Sequence, residues 1–407
     1  MTDVLIIGAG PAGSMAAALL AQKGYEVLVL EKQRFPRFSI GESLLGNTTQ
    51  LLDEAGMLDA VIEAGFQFKN GAAFAHGQRY SEFNFADKAS TGHAFAFQVQ
   101  RARFDQVLAG EAVRFGAQVR YETAITAIDV SGERPVVTSA AGDEVVTHRP
   151  RFVLDASGFG RTLPRLLDLD RPSDLVQRAA LFVHVKDNIP AGAFDRQKIR
   201  VGVHPTDKDV WSWLIPFSDG TASMGIVATP EHHAQFKGTL DERMWQLVAD
   251  EPMLAALLKD AVVTRPAAEL SGYSAKVSRM HGPGFALLGN AAEFLDPVFS
   301  SGVTLAMQSA KLASGLLDRQ LRGETTDWQT QFAEPLSYGV ETFRTFVTGW
   351  YGGALQDVIF AEHKDPGIRR MICSVLAGYA WDPQNPYTGP QSSRRLRALA
   401  ETIRAGR

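Results

Sequence analysis

The sequence predicts a mixed α/β (α+β) protein: a Rossmann-like α/β domain, discontinuous in the chain, an interleaved antiparallel β-sheet domain, and a helical C-terminus. Three observations carry this. The N-terminus runs strand, glycine turn, helix, strand. From about Ala179 to Ala228 the runs AALFVHVKD, KIRVGVHP, VWSWLIPF and ASMGIVAT are β-type, with few helix signals between them. From about Trp328 the pattern turns helical, aromatic-rich and proline-interrupted. At 407 residues, 45% hydrophobic and 21% charged, the chain is too long for a single ordinary core. Two interdigitated domains, or one large domain with additions, are therefore expected. The expected division gives 1–75, 100–165 and 275–317 to the nucleotide-binding domain, 76–99 and 166–274 to the β-sheet domain, and 318–407 to the helical region.

Taken in order, Val4 to Ile7 reads as a strand and Pro11 to about Lys23 as a helix, with Gly24 at its C-cap and a strand from Glu26 to Leu30. A second helix is expected from near Glu42 to Glu54, stopping at Gly56. In FQFKNGAAF, alternation sends Phe66 and Phe68 one way and Gln67 and Lys69 the other. Gln118 to Tyr121, Ile125 to Val130 and Val136 to Ser139 read as a β-meander, and Phe152 to Asp155 returns to the first sheet. Helices are expected over Leu240 to Lys259, then a strand at Phe285 to Leu288 and a glycine-flanked helix near Gly302. The C-terminal SSRRLRALAETIRAGR places Leu396, Leu399 and Ile403 on one face, as in a solvated amphipathic helix.

Composition excludes several functions. The net charge is −4 with both signs mixed, so there is no electrostatic footprint for nucleic acid. The single cysteine, Cys373, rules out an internal disulfide framework and reads as a buried, inert thiol. No segment offers the roughly 20 consecutive apolar residues of a membrane span, and the N-terminus lacks a signal-peptide pattern, so a cytoplasmic protein is expected. His232-His233 is the one close histidine pair, and adjacent residues do not share a helix face, so no metal is expected. A GxSxG elbow and a P-loop are absent.

The chemistry begins at GAGPAG, which follows a strand and opens a helix, while Glu31 closes the next strand. Gly8 permits the tight turn, Gly10 lets the backbone approach a pyrophosphate, and Gly13 lets helix and strand pack closely. The helix N-terminus offers N–H groups to phosphates, and Glu31 offers a carboxylate to ribose hydroxyls. Downstream, VLDASGFG and FALLGNAAEFLDPVFSSGV each set a glycine turn after a strand. These elements, with Arg101 in QVQRARFD, resemble those of the para-hydroxybenzoate-hydroxylase-like flavoproteins. The resemblance implies FAD as cofactor, bound by Gly8, Gly10, Pro11, Ala12, Gly13, Glu31, Lys32, Arg37, Ser43, Arg101, Ile125, Asp155, Ser157, Gly158, Gly289, Asn290, Pro297, Gly302 and Val303. One departure is Asn290, a neutral acceptor where the superfamily usually carries an aspartate for a ribityl hydroxyl.

Gly41-Glu42-Ser43, Lys69 two positions before Gly71, and the WxWxIP pattern of Trp211, Trp213, Ile215 and Pro216 narrow the resemblance. Together they look like the flavin-dependent halogenases, in particular the pyrrole and phenol subgroup, over the span from the first strand to about Leu317. That resemblance implies reduced FAD from a separate flavin reductase, O₂, and chloride or bromide oxidised to hypohalous acid. Backbone amides of Ser301 and Gly302 match the halide site, and Lys69 matches the lysine that guides the oxidant. Trp211 and Trp213 match indoles that separate flavin from substrate; packing of one sheet face is the other use of such a pair. Phe299 stands where the free-tryptophan halogenases carry a glutamate, which favours an electron-rich phenol or pyrrole, free or tethered to an acyl carrier protein. The shortness of the chain beyond Leu317 predicts a comparatively open substrate site, or one suited to a large substrate. Two other functions fit the same residues: a flavin monooxygenase or oxidoreductase that uses no halide, and a noncatalytic flavin- or carrier-binding protein.

Overall fold

A computed structural model describes residues 2–362 and 365–406. The first sheet has six strands in the order His281–Gly282, Phe285–Leu287, Phe152–Asp155, Val4–Ile7, Val27–Leu30, Gln118–Arg120. All neighbours run parallel except the His281–Gly282 hairpin. VLII, VLVL and FVLD are buried at every position, as central parallel strands covered on both faces must be. Helix Pro11–Ala21 lies between helices Arg101–Arg114 and Ser301–Leu321 on one side of this sheet. Its alanine-rich sequence allows the close approach, and nine of its eleven residues are buried.

The second sheet has seven strands in the order Val262–Ser271, Ala179–Lys186, Thr221–Ala228, Trp211–Pro216, Lys198–Val203, Gly71–His76, Arg79–Asn84. Period-two alternation splits its residues between two cores. Trp211, Trp213, Ile215, Phe182 and Ile199 join the core shared with the first domain. Leu181, Val183, Leu214 and Met224 face the other way, under helices Leu240–Ala249 and Pro252–Leu257. The helix over Leu240–Ala249 starts with a capping box in which Thr239 and Glu242 satisfy each other's backbone N–H groups.

Several expected boundaries move. The division at residue 75 falls inside strand Gly71–His76, whose pairing with Lys198–Val203 puts it wholly in the second sheet. The helix placed from Glu42 begins at Gly46, because Gly41–Leu45 runs extended and Ser43 bridges to Gln98. Gln118–Arg120 joins the six-stranded sheet, leaving the meander to Ala124–Asp129, Val136–Ala141 and Glu144–His148. Helix Ser301–Leu321 crosses the boundary set at 317. Within FQFKNGAAF the strand is Gln67–Lys69: Lys69 has no exposed surface and Phe68 is 43% exposed and stacks on Phe95, while Phe66, just before the strand, is buried.

Helix Glu334–Tyr351 brings Phe346 and Trp350 edge-on against Phe299, and Trp350 also packs on Phe74. Trp350 is completely buried, so the C-terminal helix packs into the core that holds Phe74 and Phe299. Leu396 and Ala400 of the last helix are buried against the same domain. Cys373 is buried, and desolvation pushes its thiol up to about 12, consistent with an inert role. Among the described residues no helix is long and apolar enough to cross a membrane.

Candidate functional site

A cleft enclosing about 1720 Å³ of non-protein space, its open mouth included, runs along the carboxyl ends of the parallel strands. Such a crevice, at the carboxyl ends of an open parallel sheet, is where this class of sheet takes ligands. At one end the turn after Val4–Ile7 is shaped by its glycines. Gly8 has φ +94°, and a Cβ there would sit 2.7 Å from the Ala156 carbonyl oxygen. A Cβ on Gly13 would lie 1.9 Å from the Gly8 carbonyl oxygen, so only glycine lets the helix seat on the turn. Helix Pro11–Ala21 has no side-chain cap, which leaves first-turn N–H groups free for an anion. Glu31 is buried, and its two carboxylate oxygens accept from the Ala9 and Gln33 N–H groups, each at 2.9 Å. That fixes the carboxylate while leaving lone pairs for a ribose.

Asp155, expected on the cofactor, is instead a support. It is wholly buried and does not line the cleft; its oxygens accept from Ser157 N–H at 2.8 Å and Leu163 N–H at 2.7 Å. The carboxylate thereby holds the turn that presents Ser157 and Gly158 to the cleft. Gly13 is likewise a packing residue beneath the lining. The two arginines are pinned by one acid: Asp105, with no exposed surface, accepts from Arg101 Nε at 2.8 Å and Nη2 at 3.0 Å in a bidentate pair and lies 3.0 Å from Arg37 Nη1. Arg101 Nη1 also donates to the Ile40 carbonyl at 2.6 Å, which sets the path of the Gly41–Ser43 segment along the cleft wall.

Lys69 lies behind that segment. Its amine donates to Ser43 Oγ and to the Leu44 carbonyl, both at 2.7 Å, and sits 5.3 Å from the Phe85 ring centroid. Lys69 does not line the cleft, but Ser43 does, so the serine hydroxyl stands between them. No carboxylate offsets the burial, and desolvation lowers the ammonium to about 7. Desolvation thus shifts the amine toward its unprotonated form near neutral pH, with a lone pair available. Next to Ser43, Glu42 is buried and lines the cleft, with its Oε1 2.9 Å from His184 Nε2. The two approach at an angle that does not make a hydrogen bond.

Trp211 and Trp213 line the same cleft together with Ile199 and Ile215. Their ring centroids are 5.9 Å apart, and Trp213 continues into a stack with Phe182. Trp213 Nε1 donates to Ser223 Oγ at 3.1 Å, and its ring lies flat on Gly225, where a Cβ would come within 2.3 Å. The floor is the segment from Leu288 to Val303. Ser300, at φ +56°, turns the chain into helix Ser301–Leu321, whose N-terminus also lacks a side-chain cap. Asn290 lines the cleft near Gly302, and its carbonyl accepts from Arg161 at 3.0 Å.

Seventeen of the nineteen residues expected at the cofactor line this one cleft, Gly13 and Asp155 being the exceptions. Of the halide pair, Gly302 lines it, whereas the Ser301 side chain is buried beneath and Ser300 takes its place in the lining. Sequence reasoning missed Glu42, Phe38 and Ser300; the αL conformation of a serine gives no signal in composition or periodicity. Two uncapped helix N-termini, a buried ribose-side carboxylate and glycine contacts with no space for a Cβ together fit FAD.

Comparison with known proteins agrees. Residues 1–333 match the FAD binding domain family. A 1H-pyrrole-2-carbonyl-[peptidyl-carrier protein] chlorinase from Pseudomonas fluorescens is 30% identical over 406 residues, covering 92% of this chain and 89% of that protein. A 1H-pyrrole-2-carbonyl-[peptidyl-carrier protein] brominase from Pseudoalteromonas luteoviolacea is 30% identical over 392 residues, covering 93% and 92%. The crystal structure of a flavoprotein/dehydrogenase from Cytophaga hutchinsonii superposes with TM-score 0.96 at 44% identity, covering 100% of this chain and 99% of that one.

Proposed function

The chain belongs to the flavin-dependent halogenase family of FAD-binding enzymes, and from that premise we propose that it halogenates an electron-rich aromatic substrate, with Lys69 guiding the oxidant. The observation that carries this reading is the Lys69 amine: fully buried, lowered to about 7 by desolvation, and hydrogen-bonded to the hydroxyl of cleft-lining Ser43. Buried lysines are commonly held by an acid or snorkel to water. This one has neither.

FAD would be held by the Gly8 to Gly13 turn, Glu31, Arg37, Arg101 and the Gly289 to Val303 segment. Reduced FAD with O₂ supplies the oxidising power that turns chloride or bromide into hypohalous acid. The first-turn amides at Ser301 to Val303 form a concave set of donors able to hold the halide. The Lys69 amine then holds the hypohalous acid by hydrogen bond, or takes the halogen onto nitrogen with its lone pair, water leaving. Trp211 and Trp213 keep an organic ring out of the cleft, so that halide is the species oxidised there. Phe299 leaves the substrate side without the glutamate of the free-tryptophan enzymes, which fits a phenol or pyrrole that loses its ring proton readily. The carrier-bound pyrroles named for two relatives support a carrier-tethered substrate here. A separate reductase would supply the reduced flavin, since the chain carries no second dinucleotide fingerprint.

A second reading, direct flavin oxidation of the substrate without halide, has two specific supports: Asn290 in the aspartate position, and the flavoprotein/dehydrogenase designation of the 44% identical structure. One assay separates the two. The protein is incubated with FAD, a flavin reductase, NADH, bromide or chloride and a panel of phenols and pyrroles, free and carrier-bound, and read by mass spectrometry. Products with the halogen isotope pattern support halogenation. A product changed only by oxygen or by two hydrogens, whether or not halide is present, supports the second reading.

A further inference from the structure

The two indoles of the cleft wall are held in different ways. Trp213 is fixed by its own sheet, through Ser223 and the bare surface of Gly225. Trp211 is fixed by the C-terminal region. Its Nε1–H donates to the Tyr351 hydroxyl at 2.8 Å, and Tyr351 ends helix Glu334–Tyr351. The Tyr351 hydroxyl donates in turn to Asp296 Oδ2 at 2.9 Å, and Tyr273 reaches the same oxygen at 3.4 Å. Asp296 Oδ1 accepts from Val298 N–H at 3.0 Å. The Arg178 guanidinium lies 3.5 Å from the Tyr351 ring centroid and donates to the Asp209 carbonyl at 3.2 Å.

The polarity of this chain of bonds is fixed by chemistry. An indole N–H can only donate, so the phenol oxygen must accept from it, and the one phenolic proton is left for the carboxylate. Burial raises both tyrosines well above 10, so each stays a donor. Asp296, 3% exposed and one residue before cleft-lining Pro297, anchors the series in the flavin segment. The bonds thus join three elements distant in sequence: the sheet strand with Trp211, the C-terminal helix, and the floor of the cleft.

We propose that Tyr351 and Asp296 are positioning residues, which hold the Trp211 indole as a barrier in fixed register with the flavin segment. The proposal rests on the halogenase reading. It gives the C-terminal region a part in deciding whether oxidant leaves the cleft as hypohalous acid or is lost by oxygen transfer or peroxide release.

The test compares Tyr351→Phe, Asp296→Asn, Trp211→Phe and the double variant Trp211→Phe/Tyr351→Phe in the FAD-loaded protein with bromide. The reading is the ratio of halogenated product to oxygenated product plus hydrogen peroxide. Tyr351→Phe keeps the ring and removes both bonds; the one that holds Trp211, of ordinary net strength, sets the expected fall in that ratio at about five-fold. Asp296→Asn acts in the same direction, and the double variant falls no further than Trp211→Phe alone. A Tyr351→Phe protein with an unchanged ratio, where Trp211→Phe lowers it, overturns the positioning role and leaves the barrier standing. A silent Trp211→Phe overturns barrier and positioning together, while halogenation itself stays testable by product mass. A second measurement needs no variant to fold: in the wild-type protein the Trp211 indole N–H exchanges slowly with solvent, and fast exchange at that site overturns the proposal.

Discussion

Replacing Lys69 by methionine removes a buried amine that the fold keeps at a cost in stability. The side chain has no exposed surface and desolvation lowers it from 10.5 to about 7. At ~1.4 kcal/mol per pH unit, that difference corresponds to about 4 to 5 kcal/mol of unfavourable charging in the native state below neutral pH. The sign follows from proton counts. Between about 7 and 10.5 the unfolded lysine carries a proton that the folded one has released, so this group's contribution to stability improves as pH rises through that window. Below about 7 both states are protonated and the full penalty applies. Methionine has no such dependence. It also leaves Ser43 Oγ and the Leu44 carbonyl without their donor, at roughly 1 kcal/mol or more each, so the absolute gain at neutral pH is only about 1 to 3 kcal/mol. The pH dependence of the difference is the cleaner quantity. Urea unfolding of both proteins should show the advantage of Lys69→Met shrinking by about 3 kcal/mol between about pH 7 and about pH 9.5. A difference that stays constant over that range would refute the argument, because it would mean the amine titrates like an ordinary surface lysine.

The other predictions concern the cleft. Gly225→Ala sets a methyl group within 2.3 Å of the Trp213 ring, so it should lower stability by about 1 to 3 kcal/mol in denaturant melts and weaken FAD binding; an unchanged melt would contradict the packing described. Gly13→Ala drives a Cβ into the Gly8 carbonyl, and the purified protein should lose its flavin absorbance while keeping its helical circular dichroism; full flavin retention would count against the turn geometry. Trp211→Ala/Trp213→Ala should bind FAD yet begin to yield oxygenated product; unchanged halogenation with no oxygen incorporation would reduce the indoles to packing.

Much of this site was legible because its constraints are local. A strand, a glycine turn and a helix N-terminus lie within about a dozen consecutive residues, and the steric reasons for Gly8, Gly10 and Gly13 act over that distance. The paired indoles were readable as one sheet face because the strand period is two. What escaped was settled at long range. Nothing in FQFKNGAAF says that its lysine is buried; that depends on the Gly41 to Leu45 segment, brought against it by pairing with Gln98. Asp155 ends a strand, as a cofactor ligand would, yet its oxygens accept from two backbone N–H groups later in the chain. Tyr351 meets Trp211 across 140 positions and Asp296 across 55, a separation no periodicity can report. The C-terminal stretch docks in the same long-range way, its aromatic residues packing on Phe299 and Phe74.

The central claim, that the cleft uses halide and Lys69 directs the oxidant, is tested most directly by single-turnover product analysis. Protein-bound FAD is reduced anaerobically, then mixed with O₂ and a carrier-bound or free pyrrole or phenol, with and without bromide, in wild-type and Lys69→Ala proteins. The account predicts brominated product only from the wild type and only with bromide, while Lys69→Ala oxidises its flavin and releases bromide-dependent oxidant to an external scavenger. Substrate oxidised to the same extent without bromide, or brominated equally by Lys69→Ala, would contradict it.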